Sequence, residues 1–534
     1  MVMKWWGWGD EEKSFPLADA DKFWAFAEQR LGKSNPRPRL RSLDDATLPP
    51  SRLDPSSLSA LQKAAGDAPL RVDVPARAVH SVGKGYCDLV RIRSGTVDPA
   101  TDAVIYPESE DAVARILETA AERSISVVPF GGGTTVVGGL DPVGERPVVT
   151  LALYRLDRVL AIDPVSATAT VEAGILGPAL EAELGKAGFT LGHFPQSFEY
   201  SSLGGWIATR SAGQKSTLYG KIEERVQSLR MLFPGGAFTT ADVPAAAAGP
   251  DFAQVITGSE GVLGVITRAT MRLAPAPPRS EYHGYLLPSF AEGVEAARRV
   301  MQAGLKPAVM RLSDEAETEA TAVMRAGAEG IAASILIMGF DGEEDDIRAW
   351  RQSAERILEK HGARSLGPGL GEAWERSRFE LPYLRDLLLD HGIMVDTLET
   401  ATTWDRYLPL YQAVRTAMEQ ALGGRGIVMA HLSHAYTNGA SIYYTFLAAQ
   451  EEGNEIEQWR RLKRAATQAI VDNGGALSHH HGVGTEHRPW VPAYLGEGVR
   501  ALDALKNAFD SKGIMNPGKL LPESKERANV RSGP

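Results

Sequence analysis

The chain has 534 residues, 43% hydrophobic and 23% charged, and 57 Lys+Arg against 67 Asp+Glu leave a formal net charge of −10. This is a globular composition with an acidic field, which excludes a reader of nucleic-acid backbone but still permits a local basic site for one phosphorylated small molecule. Cys87 is the one cysteine, so no internal disulfide or Cys-based metal site can form, and no run of about 18 apolar residues offers a bilayer-spanning helix.

Along the chain, Lys4 is followed by Trp5, Trp6 and Trp8 and then by Asp10, Glu11 and Glu12, which is not the apolar h-region of a secretion signal. A reducing, cytoplasmic setting is the expectation. Residues 1–59, with Pro36, Pro38, Pro49, Pro50 and Pro55, read as an irregular strap on the body. Residues 60–275 read as a lobe in which helices and strands alternate. Ser109 is placed to cap a helix whose first turn carries Glu110 and Asp111, and Val113, Ile116, Leu117 and Ala120 recur at helical spacing. Strand-like runs follow at 125–128, 148–151 and 167–171. Pro275, Pro277 and Pro278 mark a boundary. Beyond it, residues 276–475 read as a substrate or cap lobe, with strands near 282–286, 333–338 and 441–446 and a charged helix over 343–361. Residues 476–534 are expected to return towards the first lobe, and the terminal Ser532-Gly533-Pro534 is not a peroxisomal tripeptide.

Three glycine-rich clusters carry the clearest chemistry. The first is Pro129-Phe130-Gly131-Gly132-Gly133-Thr134-Thr135. Adjacent glycines let backbone amides converge on phosphate oxygens because no Cβ blocks the approach. It is not the dinucleotide pattern, since Val136 stands where the third glycine belongs, and no Gly-Lys-Ser/Thr makes it a Walker loop. The second runs from Pro195-Gln196-Ser197-Phe198-Glu199-Tyr200-Ser201 through Gly204 and Gly205 to Ala208-Thr209-Arg210-Ser211. The third is Glu260-Gly261-Val262-Leu263-Gly264-Val265-Ile266. One such string is explained by a turn; three in one lobe suit the wrapping of an extended cofactor.

In this order and spacing the clusters resemble the FAD-binding half of flavoproteins of the vanillyl-alcohol-oxidase type, and more narrowly the chain resembles the alkyldihydroxyacetonephosphate synthase family. Met3-Lys4-Trp5-Trp6-Gly7-Trp8-Gly9 is similar to that family's opening. Its other marks appear as Tyr383-Leu384-Arg385-Asp386, Leu398-Glu399-Thr400 with Trp404-Asp405-Arg406, Ile442-Tyr443-Tyr444, and Ser478-His479-His480-His481-Gly482-Val483-Gly484. The resemblance implies an α+β, two-lobed FAD-binding fold with an α+β cap, and non-covalent FAD held by the three clusters. It also implies Tyr443 as catalytic acid/base, His479, His480 and His481 in proton transfer, and Arg385 on substrate. Arg311, set beside Arg385 as substrate-binding, matches a family arginine whose role stays open. The implied reaction passes through a flavin N5 adduct with C1 of acyl-dihydroxyacetone phosphate. Fatty acid leaves, fatty alcohol enters, and no net electron transfer occurs in this step of ether-lipid synthesis. A peripheral membrane contact and a homodimer are further partner expectations. A tyrosine with an ordinary pKa near ~10 serves as base only if cations or hydrogen bonds lower it, and an arginine and imidazoles are expected to do so.

Plainer readings stand beside these. A tyrosine in an apolar strand is more often core than catalyst. The histidines, with His431 and His434, offer metal ligands. Arg385 has Asp386 and Glu380 as ordinary ion-pair partners, and the tryptophans are most simply packing residues or a membrane-interface contact. The rival function is FAD-linked oxidation of a 2-hydroxyacid or alcohol, which the tail Lys512-Gly513-Ile514-Met515-Asn516-Pro517-Gly518-Lys519 resembles. That group's metal site needs a glutamate where His480 stands and a histidine near Tyr443, so no metal is expected. A paralogue without turnover is the third reading.

Overall fold

The computed structural model describes residues 3–522 apart from 38, 41, 327–329 and 331, so the terminal tripeptide lies outside the described residues. The first sixty residues are not irregular throughout. Helix α1 (Ala20–Leu31) begins where the Asp19 side chain accepts from the Lys22 N–H, ends at Gly32, and buries Phe23, Phe26, Ala27 and Leu31 along one face. The Pro-rich composition that suggested an unbroken strap begins only after α1, at Pro36, and it masked this period. Helix α2 (Pro55–Ala65) starts on Pro55 with Asp54 as cap.

Strands β1 (Leu70–Arg71), β2 (Ala103–Ile105), β3 (Ser126–Phe130) and β4 (Val148–Ala152) form a sheet in the order β1-β2-β4-β3. β4 runs parallel to both β2 and β3, and the chain crosses from β2 to β3 through α3 (Glu110–Glu122). The Ser109 side chain accepts from the Ala112 N–H, and Val113, Ile116, Leu117 and Ala120 are buried against the sheet. The glycine string thus leaves the carboxyl edge of β3, where open α/β sheets receive ligands. Residues after Phe130 stay irregular as far as β4.

A second, antiparallel sheet holds β5 (Val159–Asp163), β6 (Thr168–Glu172), β7 (Val226–Phe233), β8 (Gly236–Thr239) and β9 (Val265–Arg272), ordered β5-β6-β9-β7-β8. Its inner face packs Val171, Leu229, Met231 and Met271 against Trp206 and Ile207 of α4 (Leu203–Thr209). Past the prolines comes a seven-stranded antiparallel sheet of β10 (Arg279–Leu287), β11 (Val309–Ser313), β12 (Ser334–Gly342), β13 (Arg364–Gly367), β14 (Ile393–Thr403), β15 (Ile427–Ala435) and β16 (Gly439–Ala449), ordered β13-β10-β12-β11-β15-β16-β14. Helices α5 (Pro368–Ser377) and α6 (Leu381–Asp390) lie between β13 and β14 in sequence.

Register in this sheet places the chemistry. Tyr443 on β16 stands opposite Glu399 on β14 and opposite His431 on β15. Directly paired residues share a face and successive ones alternate, so Tyr443 and Tyr444 point opposite ways. Tyr444 is fully buried in the core beside Tyr411. At the far end the tail returns: the Val127 N–H donates to Ile514 O at 2.8 Å and the Asn516 N–H to Val127 O at 2.8 Å, extending the β3 edge. Among the described residues no helix is long and apolar enough to cross a membrane.

Candidate active site

A cavity of about 850 Å³ lies between the glycine loops, the β11–β15–β16 face, α5, α6 and α1. Phe23, Phe26, Leu31, Leu388 and Met429 make part of its wall apolar, while the loops and the β16 row make another part polar.

The loop side fits FAD. Pro129 through Thr135, Pro195, Gln196, Ser197, Ser201, Ala208, Thr209, Ser211, Glu260, Gly261, Gly264 and Ile266 all line the cavity. A Cβ on Gly131 would lie 2.2 Å from Ser202 Oγ, and one on Gly132 would lie 1.8 Å from the Tyr200 carbonyl oxygen. A side chain at either position would displace the loop, so the backbone stays bare towards the cavity. Thr135 Oγ1 and Asn516 Oδ1 are buried polar atoms without a protein partner, and both residues line the cavity. Such orphans call for a ligand. Asn516 also donates to Gly139 O and Glu260 O, which locks the returning tail onto the loops. It was legible only as part of the tail motif.

Other members of the clusters turn away from the cavity. Phe198 stacks on Phe379, and Tyr200 packs edge-on against Trp8. Glu199 lies 3.9 Å from Lys13. Arg210 adopts a left-handed φ of 52° and donates to the Thr257 and Gln254 carbonyls. Val262, Leu263 and Val265 are core residues. These side chains hold the loops in shape. Glu260 is bound otherwise than as a simple cofactor ligand: its carboxylate accepts from the N–H groups of Val483 and Gly484, at 2.5 and 2.7 Å, and so ties the third cluster to the histidine turn.

On the sheet side, the Tyr443 ring stacks on His431 at 4.9 Å and lies 5.9 and 5.5 Å from the rings of His480 and His481. Its phenol does not behave as expected. Burial, assisted by Asp396 and Glu399, outweighs a hydrogen bond from Thr397 and the charge of Arg311, and pushes Tyr443 up to about 12. It is therefore a neutral phenol at ordinary pH. Burial also pulls all three histidines below the usual imidazole range.

His480 and His481 line the cavity, whereas His479 stands behind them. Its Nε2 is hydrogen-bonded to the Tyr436 hydroxyl at 2.6 Å and its Nδ1 to His480 Nδ1 at 2.9 Å. His434, His479 and His480 offer nitrogens within 4.8 Å of one another, the kind of group that can hold a metal. Both His479 nitrogens are engaged, however, and His434 Nδ1 is bonded to Ser216 Oγ at 2.6 Å. A metal would have to break these bonds.

Glu399 organises the turn. Its carboxylate accepts from the N–H groups of His479, His480 and His481 at 2.5, 3.1 and 2.9 Å, and from the Ser478 hydroxyl at 2.7 Å. Burial alone would raise it, but the imidazoles of His481 and His479, these N–H donors and the hydroxyl together hold it at about 2. In the sequence it was only a motif letter, because its partners lie some eighty residues away.

Arg385, on α6, is not spent on its neighbours. One Nη donates to the Lys84 carbonyl, while Nε and the other Nη are buried without a protein partner. Glu380 pairs instead with Arg325 at 3.0 Å, and Asp386 pairs with Lys4 at 3.2 Å. Arg311 also faces the cavity but is engaged, by Glu317 at 2.7 Å and by His431 Nε2 at 2.8 Å. His431 in turn bonds Glu317 at 3.0 Å. Arg311 thus props the ring that stacks on Tyr443.

Residues 101–242 match the FAD binding domain family and residues 276–520 the C-terminal domain of FAD linked oxidases. The alkyldihydroxyacetonephosphate synthase of Dictyostelium discoideum is 34% identical, over 99% of this chain and 94% of that protein. A solved structure of an alkyldihydroxyacetonephosphate synthase superposes with a TM-score of 0.83 at 32% identity, covering 97% of this chain and 99% of that one. p-Cresol methylhydroxylase, 14% identical, shares the fold with a TM-score of 0.68 over 89% of this chain and 98% of its own. With a bare-backbone cradle for FAD, a Tyr443–histidine cluster facing it, and a relative that matches from end to end, this chain belongs to the alkyldihydroxyacetonephosphate synthase family of FAD-binding enzymes.

Proposed function

We propose that the protein exchanges the acyl group of acyl-dihydroxyacetone phosphate for a fatty alcohol, giving alkyl-dihydroxyacetone phosphate and a fatty acid. The observation that carries this reading is one cavity holding a buried guanidinium with two open donors, an apolar wall and a tyrosine–imidazole cluster. When bound, FAD supplies the isoalloxazine chemistry that no side chain possesses. Arg385, with two open donors, holds the anionic end of the lipid as a charge-assisted fork. The apolar wall of Phe23, Phe26 and Leu31 takes the hydrocarbon chain, each buried CH₂ being favoured by about 0.8 kcal/mol.

The proton roles follow from the charge states. Neutral His480 and His481 are acceptors for the proton that leaves C1. Tyr443, protonated at its Oη, is the donor as the fatty acid departs. Over the whole exchange the C1–O bond to the acyl group breaks, that to the alcohol forms, and the alcohol's proton leaves with the fatty acid, so no electron acceptor is consumed. Leu366 and Leu381 line the cavity yet remain 39% and 40% exposed, which supports entry of the chains from a lipid surface.

The test is an anaerobic incubation with palmitoyl-dihydroxyacetone phosphate and hexadecanol, without electron acceptor, read by mass spectrometry. Alkyl-dihydroxyacetone phosphate and free palmitate are the expected products. Neither product from flavin-replete protein, with turnover of a 2-hydroxyacid on adding an acceptor, would replace this reading with the oxidase one.

A further inference from the structure

A buried polar network joins the tryptophan-rich N-terminal segment to the helix that carries Arg385. Lys4 Nζ lies 3.2 Å from Asp386 Oδ2, the two side chains being 3% and 7% exposed. The Trp8 N–H donates to the same oxygen at 2.9 Å, and the Asp10 N–H reaches the Tyr383 hydroxyl at 3.3 Å. The segment closes on itself through Lys4 N–H to Gly9 O at 2.8 Å. Lys84 completes the loop: its ammonium donates to the Lys4 and Trp5 carbonyls at 3.0 and 3.3 Å, while its own carbonyl accepts from Arg385. The fit is close, since a Cβ on Gly7 would sit 2.4 Å from the Asp386 carboxylate and one on Gly9 2.1 Å from the Tyr383 hydroxyl.

Arg385 is thus held by Lys84 on one side and followed in sequence by an acidic residue that pairs elsewhere. A buried carboxylate does not stay unpaired; it is neutralised or finds the nearest cation. Without Lys4, the buried cations in the field of Asp386 are Arg385, Lys84 and Arg93, and of these three it is Arg385 that has donors without a protein partner, at Nε and one Nη. We propose that Lys4 is a positioning residue: it holds Asp386 away from Arg385, so that the arginine's two open donors remain available to the anionic group of the substrate. The tryptophan-rich segment then acts on the binding site through Asp386 and Arg385, and is not only packing. This rests on the reading of Arg385 as the anion-binding residue.

The experiment compares wild type with Lys4→Met, Lys4→Arg, Lys4→Met/Asp386→Asn and Arg385→Met. It measures kcat, KM for palmitoyl-dihydroxyacetone phosphate, KM for hexadecanol, and the inhibition constant of inorganic phosphate. In Lys4→Met, KM for the phosphorylated lipid and the phosphate inhibition constant should both rise about tenfold, with kcat and KM for hexadecanol within about twofold of wild type. Lys4→Arg should restore both constants. The double variant should also restore them, because a neutral amide no longer competes for the guanidinium; a purely structural role would leave it as impaired as the single variant. Unchanged constants in Lys4→Met, or no recovery in the double variant, overturn the proposal. Where Lys4→Met does not fold, the double variant carries the test, and failure of both to fold shows that the pair holds the fold instead of the arginine, which also overturns it. Arg385→Met separates the two claims. If it binds phosphate and lipid normally, the anion-binding reading itself fails; if it is weakened while Lys4→Met is not, only the role of Lys4 falls.

Discussion

The two faces of the cavity are built by opposite means. The cofactor face is made by removing side chains: Gly131 and Gly132 press their backbone against Ser202 and Tyr200 so tightly that nothing larger fits. The opposite face is made by adding them, with Glu399, Tyr443 and His431 set in a row across three paired strands. A cradle for a large constant ligand needs close backbone approach and free N–H groups, which loops supply. A proton-transfer cluster needs fixed rings and matched charge states, which a sheet supplies. Substitutions should therefore fail differently on the two faces.

The largest expected effect tests the sheet face. Tyr443→Phe should lower kcat by about 10²–10⁴ while flavin content and melting temperature stay at wild-type values; full activity would remove Tyr443 from the chemistry. Next comes the cradle. Gly132→Ala should yield a folded protein with little or no flavin, and activity per bound flavin close to normal, measured from the visible absorbance of the purified protein. If instead flavin is retained and turnover per flavin collapses, the contrast between the faces is wrong. Glu399→Gln should act between these extremes, lowering kcat roughly tenfold by loosening the histidine turn, with flavin retained.

The smallest effect is on stability at low pH. Glu317, Glu399 and Glu486, the last paired with the buried Lys463 at 2.6 Å, are held at about 2 against an ordinary 4.5: burial opposes this, but Arg311, the imidazoles and Lys463 prevail. A carboxyl whose folded value is depressed gives stability that is full above its unfolded value and lost as pH falls towards the folded one. Stability should therefore drop between about pH 4.5 and 2 by up to a few kcal/mol per group. Glu399→Gln should flatten part of that slope in denaturant titrations; an unchanged slope would mean that Glu399 is not ionised against the turn.

The two faces also differ in how far they could be read in advance. The glycine clusters, the Ser109 cap and the strand runs read at 125–128 and 148–151, found at 126–130 and 148–152, are contiguous, so their purpose is written in neighbouring residues. Helix α1 was equally local, with Asp19, Gly32 and a helical run of apolar residues, but composition distracted from its period. Glu399 was not local, since its three N–H donors belong to a turn far along the chain. Nor was the elevated phenol of Tyr443, because burial depends on everything packed around it.

Linear spacing by itself pointed to a glycine-rich cradle for an extended cofactor and to a break at the prolines near 275, while FAD and the candidates Tyr443, Arg385 and the histidines entered as what the family resemblance implies. The first two follow from glycine content and proline punctuation and the rest from motif, all of which act over a few residues. The tertiary structure alone decided which candidates face the cavity, which of Tyr443 and Tyr444 is core, and that Arg385 is left free while Asp386 is claimed by Lys4. Those outcomes rest on strand register and on competition among buried charges, and both are settled only when distant segments leave water together.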